Sequence, residues 1–136
     1  MPDASRRDLD RCIEAVEAGY EFLLAYAAQG HESDRHAGAG GEVRRYLADM
    51  DEALNGLGEL ALACAEQVDG ESVTEYRGFL DALDADARKA RAAVRLVLSR
   101  DDISSQLVDN LNASSHLRAL LTDLFLIDEA LKASEE

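Results

Sequence analysis

The chain has 136 residues, 47% hydrophobic and 31% charged, enough for one hydrophobic core and too few for two ordinary domains. Its formal net charge of −14 opposes a phosphate backbone or an anionic bilayer and favours a basic partner, so neither nucleic acid nor membrane is expected to bind. No apolar run approaches the roughly 18 residues of a membrane span, and no secretory leader is expected, which points to a cytoplasmic protein.

The one proline stands at position 2, and Ala, Leu, Glu and Arg dominate the segments between glycine clusters, so helix is the expected state. Over about 8–29, Leu9, Val16 and Leu23 recur with heptad spacing, flanked by Cys12, Gly19 and Tyr26 and by Ile13, Tyr20 and Ala27. These rows make one broad apolar face, and Glu14, Glu17 and Glu21 fall on the wet side. Gly30 offers a left-handed cap, and the polar, glycine-rich text from Gly30 to Gly41 predicts a long mobile loop.

A second helix is predicted over about 42–68, with Val43, Met50, Leu57 and Cys64 in one row and Leu47, Leu54, Ala61 and Val68 in another. Asp69-Gly70 marks a turn, and Ser72-Val73-Thr74-Glu75 has the spacing of a capping box. It opens a third helix over about 73–99, whose rows are Val73, Leu80, Ala87, Val94 and Tyr76, Leu83, Ala90, Val97. Arg100-Asp101-Asp102 offers an acidic N-cap to a fourth helix over about 103–132. Its rows are Ile103, Asn110, Leu117, Leu124, Leu131 and Gln106, Ala113, Leu120, Ile127. Helices of similar length, roughly 40 Å at 1.5 Å per residue, joined by mostly short connections, predict an all-α, antiparallel, up-down-up-down four-helix bundle in a single domain over 1–136.

A carboxylate-bridged metal pair in such a bundle needs Glu-x-x-His on two helices, and none of His31, His36 or His116 lies three residues after a glutamate. The loop His31-Glu32-Ser33-Asp34-Arg35-His36 carries potential ligands, but ordering it would consume binding free energy. Glu14, Glu17 and Glu21 with Glu52 and Glu59 supply carboxylates as a magnesium site would, yet the first three point away from the apolar seam and read as a solvated face. Cys12 and Cys64 lie on apolar faces, where a thiol packs as a small hydrophobe. No Ser-His-Asp set, phosphate-cradling glycine motif or Cys-x-x-Cys pair occurs, so no catalytic residue, metal or cofactor is expected.

One level of the predicted bundle is chemically distinct. Asn110 and Ser114 interrupt the apolar face of the fourth helix at the level of Gly19 and Tyr20 on the first. Asn110 is therefore expected to be buried and hydrogen-bonded, either setting helix register or lining a small-ligand pocket with Gly19, Tyr20 and Ser114. The leading expectation is a non-enzymatic acidic helical interaction module, an adaptor, accessory or regulatory subunit that meets a basic protein surface or its own second copy. The alternatives are a small-molecule or cofactor-binding bundle, and a nucleic-acid mimic that blocks a basic protein, against which the interspersed Arg and Lys count.

Overall fold

The computed structural model describes residues 4–35, 40–67, 73–114 and 116–135. Among them the chain is all-helical, in six helices where four were expected: α1 (Ala4–Ala28), α2 (Gly40–Leu54), α3 (Leu57–Ala65), α4 (Val73–Leu98), α5 (Ser105–Ala113) and α6 (His116–Glu135). None of them is long and apolar enough to cross a membrane. The turn expected at Asp69-Gly70 and the capping serine Ser72 lie outside the described residues.

The rows on α1 and α4 pack as expected. Leu9, Val16 and Leu23 are fully buried, as are Leu83, Ala90 and Val94, and Glu14, Glu17 and Glu21 are exposed. α1 packs on α2, α3 and α5, while α4 packs on α2, α3 and α6. α2 packs closely on α1 at Gly19, where an added Cβ would lie 2.3 Å from the Met50 Sδ. Glycine is needed there for space alone. Two contacts hold the C-terminal half of α6: Arg6 at the start of α1 pairs with Asp128, and the Tyr76 hydroxyl donates to the Ala130 carbonyl at 3.1 Å.

The second predicted helix is divided. Gly56 takes a left-handed φ of 76°, which ends α2, and α3 restarts at Leu57 without a side-chain cap. The break leaves the apolar row in phase, since Met50, Leu57 and Cys64 all remain buried. Heptad spacing therefore carried no sign of it.

The fourth predicted helix is corrected in three respects. Its cap is Ser104, whose hydroxyl accepts from Leu107 N–H at 3.0 Å, and not the preceding aspartates. It breaks at Ser114, whose hydroxyl donates back to the Leu111 carbonyl at 2.6 Å, a bond that competes with helix continuation. Across the break the face slips: α5 buries Ser105, Val108, Leu111 and Asn112, while α6 buries Leu117, Leu120, Leu124, Ile127 and Leu131. Asn110, Gln106 and Ala113, assigned inward by one uninterrupted period, are exposed.

Residues 36–39 of the segment expected as a mobile loop lie outside the described residues, and hydrogen bonds tie down the part before them. Asp34 is 7% exposed, accepting from Ile103 N–H at 2.8 Å and from Arg44 Nε at 2.6 Å. Arg44 also donates to the carbonyls of Leu98, Arg100 and Asp101, gathering the start of α2 and the end of α4 onto one carboxylate. Burial alone would raise the Asp34 carboxyl, but the hydrogen bonds from Arg44 and Ile103 outweigh it and hold it below the ordinary aspartate value. His31 N–H donates to Ser105 Oγ and Ser105 N–H to the His31 carbonyl, each at 2.8 Å, which fastens the turn after α1 to the start of α5.

Candidate functional site

The four residues proposed from sequence as a pocket do not converge. Gly19 is buried against Met50, Tyr20 is half-buried, and Asn110 and Ser114 are exposed. The expectation of a buried Asn110 is overturned: its Oδ1 accepts from Gln106 Nε2 at 3.4 Å in an exposed contact one helical turn apart. The asparagine inside is Asn112, 7% exposed, and neither atom of its amide has a hydrogen-bond partner among the described residues. Its place was hidden by the break at Ser114, which sets the phase of α5 apart from that of α6.

Catalytic groupings are equally open to inspection. Ser105 and His31 are neighbours, but the Ser105 hydroxyl donates to the Tyr26 carbonyl at 2.6 Å and accepts from the His31 backbone, so its proton is committed. The His31 ring meets the Gln29 amide at 2.8 Å and leans on Tyr26, with ring centres 4.9 Å apart. A cavity of about 550 Å³ opens there, lined in part by Glu32 and Asp109, and its groups serve the joint between α1 and α5. Burial, with Asp8 nearby, pushes the Cys12 thiol up and away from the reactive thiolate. Among the described residues no group of three or more His, Cys, Asp and Glu side chains is placed to hold a metal.

A groove of about 250 Å³ between α4 and α6 is different in character. Tyr76 and Phe79 line it from α4, Leu126, Ile127 and Ala130 from α6, and Glu75 stands at its edge. The cause is local sequence. Leu124, Phe125, Leu126 and Ile127 are four consecutive apolar residues, and a helix turning 3.6 residues per turn cannot bury all of them on one face. Leu124 and Ile127 go inside, leaving Leu126 56% and Phe125 45% exposed.

Along the same seam Asp86 of α4 neighbours Asp123 of α6. Asp123 Oδ2 is buried and has no hydrogen-bond partner among the described residues. Burial first, then the neighbouring Asp86 carboxyl, push Asp123 up to about 7. Neighbouring carboxylates are neutralised within the chain, Asp84 by Arg88 and Asp128 by Arg6 and Lys132. Asp86 and Asp123 enter no ion pair among the described residues, and no cation offsets the burial of Asp123. The sequence signal was faint: each of these aspartates immediately precedes a core position, Ala87 or Leu124, and only packing brings the two helices together. Set against protein-family models, curated proteins and solved structures, the chain matches none.

Proposed function

We propose that this chain is a non-enzymatic protein-interaction module, an adaptor, accessory or regulatory subunit, whose α4–α6 groove docks a helical segment of a basic partner. In this reading the six helices form four rods of an antiparallel, up-down-up-down bundle. α2 and α3 are two halves of one rod, and α5 and α6 of another. The packing of α1 and α4 each against both interrupted rods supports it.

The observation that carries the function is the pair Leu126 and Phe125, exposed beside an apolar groove on a chain of net charge −14. Amphipathic helices bind by laying an apolar face into such a groove, and opposite charge on their rim sets encounter rate and partner choice. The test is titration of isotope-labelled protein with an amphipathic helical peptide of about 18 residues bearing a Lys/Arg polar face. Saturable shift changes centred on Phe79, Leu126 and Ile127, lost in Leu126→Glu and absent with an acidic peptide of the same apolar pattern, are expected. Changes scattered over the surface, or no saturation, would overturn the reading. If a second copy of the chain is the occupant instead, sedimentation at micromolar concentration will show a dimer that Leu126→Glu dissolves, and the basic partner is replaced.

A further inference from the structure

We infer that Gly78 is the close-contact residue of the docking site: a large apolar side chain of the partner helix, a Leu or Phe, seats between Phe79 and Leu126 against the bare backbone that Gly78 leaves open on α4. This rests on the docking reading above and specifies the partner residue it admits. Glu75, Gly78, Phe79 and Ala82 are spaced i, i+3, i+4, i+7 and so share one face of α4, of which Glu75 and Phe79 line the groove. Tyr76 meets Ala130 and Asp86 neighbours Asp123, so α4 and α6 run antiparallel, and Leu126, one turn before Ala130, stands level with Phe79, one turn after Tyr76. Gly78 is exposed on the outer lip of the groove, with the buried Leu80 on the far side of the helix.

The fold itself has no use for this glycine. Gly19 and Gly58 are kept by space, since an added Cβ would strike Met50 or Asp84, and Gly30 and Gly56 are kept by left-handed φ values of 72° and 76°. At Gly78 neither reason applies: its φ is not left-handed, and an added Cβ would meet nothing within 4 Å. Glycine inside an exposed helix is less favourable than alanine, so the free chain is weakened at Gly78 with no internal contact to offset it. Docking supplies the offset, because a neighbouring helix can lower a side chain onto backbone that carries none of its own, where a methyl would stand in its path. The walls of this notch, Phe79 and Leu126, are apolar, and Leu126 is 56% exposed, so the residue that fills it is apolar and large enough to touch both. The Lys and Arg of the same partner helix then lie outward, toward the rim of a chain of net charge −14.

The test joins stability to binding. Gly78→Ala should raise the melting temperature of the free chain by roughly 2–5 °C, through helix propensity with open space around the methyl. The same variant should bind the Lys/Arg-faced helical peptide about tenfold more weakly, because the methyl blocks the incoming side chain. A loss of affinity in a more stable protein cannot come from unfolding. Peptides with each large apolar residue in turn replaced by Ala complete a double-mutant cycle, in which one position should bind the native and Gly78→Ala proteins alike. Undiminished affinity of Gly78→Ala, the absence of any coupled peptide position, or a lowered melting temperature, which would make the glycine a requirement of the fold, overturns the contact at Gly78 while the shifts at Phe79 and Leu126 keep the docking reading. Peptides that perturb neither Phe79 nor Leu126 overturn the docking reading itself.

Discussion

Replacing Asp123 with Asn removes a carboxyl that the fold keeps protonated far above the ordinary aspartate range. Burial, and after it the neighbouring Asp86, push this group from 3.8 up to about 7, so between those values the folded chain holds a proton that the unfolded chain has released. Stability of the native protein must then fall as pH rises through that window and level off above it. Full linkage for such a shift is roughly 4 kcal/mol at about 1.4 kcal/mol per unit. Asp123 is only partly buried, however, and solvent screening brings the figure to about 1–2 kcal/mol. Asn keeps the shape of the side chain, and its amide N–H can donate to Asp86 at any pH. Asp123→Asn should therefore match the native protein at about pH 4, exceed it by about 1–2 kcal/mol at about pH 8, and show a flatter profile between. Urea unfolding followed by circular dichroism at several pH values measures this directly. Parallel profiles for the two proteins would refute the raised proton affinity of Asp123.

Asn112→Leu should raise the urea midpoint by the equivalent of about 1–2 kcal/mol, because a buried amide without partners is exchanged for apolar contact; a lower midpoint would show that the amide is satisfied. Gly19→Ala should lower stability by about 1–3 kcal/mol, since the new methyl would overlap the side chain of the fully buried Met50 and force it into another rotamer within the core. An unchanged melting temperature would disprove that close approach. Arg44→Ala leaves the Asp34 carboxylate buried with its charge unpaired and should cost about 3–5 kcal/mol at neutral pH. The folded Asp34 binds its proton more weakly than the unfolded residue, so the native contribution is present above the ordinary aspartate value and fades as pH falls below it. Arg44→Ala should accordingly differ least from the native protein in acid, and an acid-independent difference would reject the role given to the pair.

Helical class and the inward faces of α1 and α4 were legible in the residues themselves, because Leu9, Val16 and Leu23, or Leu83, Ala90 and Val97, repeat with one period along an unbroken helix. A period reports which side of a helix is apolar only while the helix continues. The stop at Gly56 preserved the phase and passed unnoticed, whereas the stop at Ser114 shifted it, exposing Asn110 and burying Asn112 in its place. Neither break is marked by proline; one depends on a left-handed glycine and the other on a serine hydroxyl returning to its own chain, choices that local propensity leaves open until packing decides. The joint built on Asp34 and the meeting of Asp86 with Asp123 lie further from view, since their partners are distant in sequence and belong to different helices. Hydrophobic spacing determines which residues seek the interior. Which polar groups are carried together with them, and so where two carboxyls become neighbours beside an apolar groove, is decided only when the helices pack.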